Sequence, residues 1–172
     1  MNTKIIFDCL PVNLISEISQ YAQGLRTHRT NLTSWSGDVV GSSGTILIFD
    51  IGNDSELFSK LKTALLPIVG QEFGDKKWIF TFALGSYFSF IPWHEDDNHL
   101  RSMTIYLNET WDKNWGGYFL YESEDGVRAE LPTFNKGILF TPPLAHSTTM
   151  PTLNAPLRLS LQLFINEYEE ST

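Results

Sequence analysis

Cysteine is nearly absent: the chain of 172 residues holds one, Cys9, which excludes an internal disulfide and a structural zinc site built on cysteine pairs. Basic residues are scarce as well. Twelve lysines and arginines stand against 20 acidic residues, for a net charge of −8, and this balance opposes binding to a phosphate backbone. No nucleic-acid partner is expected. No apolar run approaches the roughly 18 residues of a membrane span, and the brief run within residues 1–10 is interrupted by Asp8, too short for a secretory h-region. Neither membrane insertion nor secretion has support, and the chain suits the reducing cytoplasm. Internal repeats and low-complexity segments are also missing.

What is present suits one domain spanning residues 1–172, large enough for a hydrophobic core without staples. Five Trp, six Tyr and twelve Phe favour aromatic strands and an aromatic-lined pocket. Residues 4–10 read as a short strand. Pro11 then stands where a helix begins, followed by Leu14, Ile15, Ile18, Tyr21 and Ala22 at helical spacing, and Gly24 ends it. Residues 25–44, rich in Ser, Thr, Asn and Gly, are either a loop or twisted edge strands. A β-branched strand at 45–49 leads to a second helix, opened by Asn53 and Glu56, with Leu57, Leu61, Ala64 and Leu65 on one face and its end near Pro67 or Gly70. Both helices are read as scaffold over one face of a sheet.

After Lys77 the pattern becomes strands: 78–84, 87–93, 102–107, 118–122, 127–131, 137–140, 146–150 and 157–165. Turn signals such as Gly85-Ser86, Gly116-Gly117 and Asp125-Gly126 separate most of them. The expected class is mainly β (α+β): an antiparallel sandwich, jelly roll or barrel at 78–166, with helical support and a variable segment at 1–77.

The chemistry concentrates in residues 93–99, Trp-His-Glu-Asp-Asp-Asn-His. On a strand, His94 and Asp96 share a face while Glu95 points away, so one imidazole and one carboxylate can grip the same ion. The helical zinc motif with histidines four apart fails, because position 98 is Asn98 and His99 lies about 140° around a helix from His94. Asp97 and His99 read as exposed turn residues. Beyond this cluster the only histidine downstream is His146. Two histidines and one carboxylate occupy one face of an octahedral ion and leave three positions open, the arrangement of non-haem Fe(II) oxygenases. Ferrous iron with one carboxylate keeps a formal charge of about +1, so a dianionic co-substrate needs a further cation for its far carboxylate. Arg158 is that cation. It shares a strand face with Ser160 and Gln162, opposite the leucines, and a planar guanidinium suits bidentate carboxylate recognition, with the Ser160 hydroxyl adding a hydrogen bond.

These residues, His94-x-Asp96, Arg101-Ser-Met-Thr-Ile-Tyr106-Leu107-Asn108, the 111–117 segment ending in Gly-Gly, His146 and Arg158-x-Ser160, resemble the Fe(II)- and 2-oxoglutarate-dependent dioxygenases, in their prolyl-hydroxylase-like branch. The resemblance covers 87–165 and implies a double-stranded β-helix. It also implies iron on His94, Asp96 and His146, with 2-oxoglutarate on Arg158. Tyr106 falls where hypoxia-type prolyl hydroxylases place a tyrosine that contacts the co-substrate. A further tyrosine of that branch has Leu84 as its counterpart here, with Tyr87 three residues later as the candidate substitute. The implied reaction consumes O2 and hydroxylates an unactivated C–H, with ascorbate as an expected stimulant. The implied substrate is a prolyl residue of a peptide or protein. Related halogenases replace the carboxylate ligand by a small residue, so Asp96 points to a hydroxylase. The residues leave two alternatives open: the same chemistry on a free amino acid or other small-molecule substrate, and a non-catalytic cupin-like iron-binding domain. Arg101 and Trp115 are candidates for a substrate entrance. Collagen-type enzymes carry lysine at the Arg158 position, and the His146-to-Arg158 gap is longer here than in the hypoxia type.

Overall fold

A computed structural model describes residues 3–24 and 46–168. The segment 25–44, with His28, therefore lies outside the described residues. In chain order the elements are β1 (Lys4–Ile6), α1 (Val12–Gly24), β2 (Ile46–Ile51), α2 (Glu56–Val69), β3 (Lys77–Gly85), β4 (Ile91–His94), β5 (Arg101–Tyr106), β6 (Phe119–Ser123), β7 (Gly126–Glu130), β8 (Gly137–Phe140), β9 (His146–Thr148) and β10 (Arg158–Asn166). The strands form two antiparallel sheets, a six-stranded one in the order β1-β8-β5-β10-β3-β2 and a four-stranded one in the order β4-β9-β6-β7.

Side-chain alternation gives the larger sheet two distinct faces. Along β10, Leu161, Leu163 and Ile165 point to one side, where they join Phe49 and Ile51 of β2, Phe80 and Phe82 of β3, and Met103 and Ile105 of β5. Both helices close this side: Ile15 and Ile18 of α1 and Leu57, Leu61 and Leu65 of α2 belong to the same buried cluster. That is the scaffold role the helical spacing predicts. The opposite face turns towards the smaller sheet, and Phe119, from that sheet, packs there with Tyr106, Ile138 and Phe140 in a second cluster. The sheets thus enclose a space between them, as a jelly roll does.

Local chemistry sets the element ends. The cap of α2 is Ser55 rather than Asn53, its hydroxyl accepting from the Phe58 amide at 3.1 Å, and the helix runs through Pro67 before Gly70, at φ 124°, stops it. The strand expected at 87–93 shrinks to β4, because a turn closed by Ser89 N–H to Ser86 O and a left-handed Phe88 at φ 65° consume its first residues. Cys9 is buried, and burial pushes its thiol up to about 11, so it acts as a small core residue. No helix among the described residues is long and apolar enough to cross a membrane.

Leu61 and Leu65 of α2 are both fully enclosed. Leu61→Ala is expected to cost about 2–5 kcal/mol, since the helix backbone prevents full collapse around the lost atoms. Urea denaturation should read this as a lower midpoint at unchanged slope.

Candidate metal and co-substrate site

Three side chains converge where β4 meets β9. His94 ends β4, His146 begins β9, and the two are register partners with ring centroids 4.2 Å apart. A register shift between Ile91 and His94 re-aims the end of β4. Asp96 lies beyond the strand, in a turn closed by His99 N–H to Asp96 O at 3.2 Å, so it reaches the site by a chain reversal rather than by strand alternation. Its carboxylate stands between the imidazoles: Oδ1 is 3.8 Å from His94 Nε2 and Oδ2 is 3.8 Å from His146 Nε2. The ligand atoms of all three residues lie within 4.8 Å of one another.

The backbone decides which nitrogens face inward. His94 Nδ1 is 2.8 Å from Pro92 O and His146 Nδ1 is 2.8 Å from Leu144 O. A carbonyl oxygen only accepts, so each Nδ1 carries the proton and donates it. In the neutral imidazoles each Nε2 then presents a lone pair. At 3.8 Å neither is hydrogen-bonded to the carboxylate, and four electron-rich atoms point into one space with no proton among them. A cation satisfies this donor set, and a carbonyl fixing the second nitrogen is how metal-binding histidines are oriented. His146 is buried, its ring stacked on Phe119 at 5.2 Å and 21°. Burial lowers its pKa, Asp96 opposes this and His94 adds to it, which favours the neutral, metal-competent form.

A cavity of about 660 Å³ extends from this triad across the inner face of the larger sheet, and Arg158 lies in its lining. The residue is 5% exposed, and its guanidinium is met by neutral oxygens: Gly117 O at 3.2 Å, Thr149 O at 3.4 Å and Thr148 Oγ1 at 3.3 Å. No carboxylate among the described residues pairs with it. Burial lowers its pKa and the nearby Tyr106 opposes this. Two glycines make its place. A Cβ at Gly85, the register partner of Arg158, would fall 3.5 Å from Nη2 and 2.9 Å from Ser89 Oγ. Gly117 adopts φ +70°, and a Cβ there would meet Trp111 Cζ2 at 2.9 Å. Asn108 holds the backbone on both sides of the arginine, donating to Leu157 O at 2.8 Å and accepting from Leu159 N–H at 2.7 Å.

One step along β10, Ser160 faces Tyr106 of β5 across the ladder. Tyr106 is buried and its hydroxyl has no hydrogen-bond partner among the described residues; burial pushes its pKa up to about 12, so it remains a proton donor. Ser160 Oγ accepts from Gln162 Nε2 at 3.0 Å, and Gln162 Oε1 accepts from Thr104 Oγ1 at 2.6 Å. The Ser160 proton therefore stays available. A buried arginine, a free hydroxyl proton and an orphaned phenol in one cavity fit an anion such as a carboxylate.

Six of the seven residues singled out from the sequence line this cavity: His94, Asp96, Tyr106, His146, Arg158 and Ser160. Tyr87 does not. It is 52% exposed in the turn after β3, packed edge-on against Phe88, and the co-substrate contact expected of it has no support in this geometry. His99 also departs from expectation: it lines the cavity, with Nδ1 2.6 Å from Asn166 Oδ1 and its ring 4.5 Å from Phe164. Arg101 stands over the Phe73 ring rather than at the cavity. The sequence reading missed Thr104, Asp50 and Thr148 in the lining. Alternation within each strand was available as a signal, but cross-strand register was not.

No protein-family model and no curated protein matches the chain. Solved structures do. A prolyl-4-hydroxylase from Pseudomonas putida superposes with a TM-score of 0.73 at 20% identity, covering 97% of this chain and 93% of that one. A prolyl hydroxylase from Trichoplax adhaerens, solved with a hypoxia inducible factor oxygen degradation domain peptide fragment, gives 0.68 at 19%, covering 96% and 83%. The viral collagen prolyl hydroxylase of Paramecium Bursaria Chlorella virus-1, solved with 2-oxoglutarate, gives 0.72 at 11%, covering 98% and 97%. The chain has the double-stranded β-helix fold that the resemblance implies, shared with 2-oxoglutarate and Fe(II) oxygenases.

Two measurements check the site. Mn(II) binding, followed by electron paramagnetic resonance, should fall by more than tenfold in His146→Ala and stay unchanged in Glu124→Gln, which alters an exposed residue in the turn between β6 and β7. Tyr106→Phe removes an unsatisfied hydroxyl, so the variant without co-substrate should be as stable as the parent or more so, by up to about 1–3 kcal/mol. The parent should also lose stability between pH 10 and about 12, where the unfolded tyrosine ionises and the buried one does not. That part of the alkaline fall should vanish in Tyr106→Phe.

Proposed function

We propose that the protein is an Fe(II)- and 2-oxoglutarate-dependent oxygenase that hydroxylates an unactivated C–H bond. The observation that carries this reading is the meeting, in one cavity, of a lone-pair triad lacking only a cation and a buried arginine lacking only an anion. His94, Asp96 and His146 would hold the iron. When bound, ferrous iron with 2-oxoglutarate and O2 supplies the oxidant, one oxygen atom entering succinate as carbon dioxide leaves and the other entering the substrate C–H.

The chain's own residues bind, orient and exclude water. Arg158 takes the far carboxylate of 2-oxoglutarate, with Ser160 and Tyr106 as hydroxyl donors. Gly85 and Gly117 give the guanidinium room, and Asn108 fixes the backbone at either side of it. Phe119 and Phe140 pack on the His146 ring, at 5.2 and 5.0 Å, and shield the metal side from water. The seat for the substrate is the remainder of the cavity. A prolyl residue of a peptide or protein, and a free amino acid or other small metabolite, are the two substrate classes we carry forward. The acidic balance argues against nucleic acid, and a reducing cytoplasm suits the single buried cysteine.

Purified protein given Fe(II), ascorbate and 2-oxoglutarate should release succinate slowly without substrate and faster with it. Arg158→Ala should weaken 2-oxoglutarate binding by about a hundredfold or more, because the buried carboxylate loses a charge-assisted bidentate partner. A cupin-like iron-binding domain predicts metal binding with no succinate and an Arg158→Ala variant that behaves like the parent. Absence of both succinate and 2-oxoglutarate binding would sink the oxygenase reading.

A further inference from the structure

The ladder of the larger sheet arranges the cavity floor in rows. Arg158, Gly85 and Ile46 form one, and Tyr106, Ser160, Ala83 and Ile48 the next. The third row is polar from β5 to β2: Thr104 pairs with Gln162, Gln162 with Thr81, and Thr81 with Asp50. At three strand spacings it spans about 14 Å between its outer Cα atoms. The co-substrate residues belong to the first two rows, which leaves the third without a role in the oxygenase reading.

Charge is distributed unevenly along this floor. Arg158 is the one cation among the described lining residues and stands at the co-substrate end. Away from it the lining carries Asp50 on β2, with Glu95 and Asp97 on the turn that follows β4. None of these three carboxylates has an ion-pair partner among the described residues. Two neutral groups here keep hydrogen-bonding capacity to spare. Ser102 is 1% exposed, faces the cavity by alternation with Met103, and its Oγ has no hydrogen-bond partner among the described residues. Gln162 has its oxygen and one N–H committed to Thr104 and Ser160, so its other N–H remains for a ligand.

Resting on the oxygenase reading, we infer that this half of the cavity is a prime-substrate site for a group bearing a protonated amine or guanidinium, with Asp50 as the residue that selects its charge. An anionic substrate would meet three carboxylates and no cation there. A neutral one would leave Asp50 unpaired as it closed over the row. A cationic chain laid along Thr81, Gln162 and Thr104 pairs its charge at Asp50 and presents its carbons towards the triad. Ser102 and the free amide hydrogen of Gln162 take the polar atoms at its other end. The same chemistry is offered by a free diamino acid and by a basic side chain within a peptide.

The test is calorimetric binding to the full chain loaded with Mn(II) and 2-oxoglutarate. The probes are L-lysine, L-arginine, norleucine, L-glutamate, and N-acetylated, C-amidated Ala-Lys-Ala beside its norleucine counterpart. A basic probe should bind at least about tenfold more tightly than its neutral partner, with affinity falling as salt rises. Binding of the free amino acid identifies a metabolite source, and binding of the tripeptide a peptide source. Asp50 is itself exposed, on the edge strand β2, so Asp50→Asn should fold normally and erase the charge preference, while Asp50→Lys should turn it towards glutamate. Neutral probes that bind as well as basic ones, no basic probe that binds, or an unchanged ranking in Asp50→Lys would overturn the inference while leaving the oxygenase reading intact. Failure of 2-oxoglutarate itself to bind defeats both, and the calorimeter separates the two cases.

Discussion

A guanidinium buried among neutral oxygens is the constraint around which much of the site is built. Desolvating Arg158 is costly unless its charge is answered, and the surrounding chain answers it with carbonyl and hydroxyl dipoles rather than with a carboxylate. That choice dictates the neighbours. Gly85 has to be small, Gly117 has to turn with positive φ, and Asn108 has to pin the strand at Leu157 and Leu159 so that the head stays in register. Tyr106, one row away, adds a buried hydroxyl with no partner among the described residues.

The triad carries the complementary imbalance. Backbone carbonyls at Pro92 and Leu144 assign the protons of both imidazoles, so the inward faces of His94 and His146 are electron-rich before any ion arrives. An anion seat and a cation seat in one cavity, each incomplete alone, favour joint occupancy by a metal and a carboxylate chelator. This electrostatic coupling argues for cooperative binding in which each arrival improves the seat of the other.

Much of this was legible in the sequence because the relevant signals are short in range. The alternation of residues 157–165 separated Arg158, Ser160 and Gln162 from the leucines, and β10 orients them so. The His-x-Asp spacing singled out two of the three side chains that converge, although the physical route differs: Asp96 turns back from a loop instead of following β4. Tyr87 failed because a turn at 86–89 rotates it outward, a feature that apolar alternation in 87–93 conceals. Asp50 was invisible for another reason. Its neighbour in the ladder, Thr81, lies 31 residues away, and Gln162 a further 81, so their row exists only once three strands have chosen their register.

The rows also give the site a unit of length. Cavity-facing positions on β10 recur every second residue, about 6.6 Å apart, from Arg158 through Ser160 and Gln162 to Phe164. The strand acts as a ruler about 20 Å long, with the anion seat at its zero mark. A ligand group is matched at one graduation or the next and at nothing between. Altered specificity in this scaffold should therefore arrive in whole graduations, by exchanging the side chain at a mark, rather than by gradual stretching of the cavity.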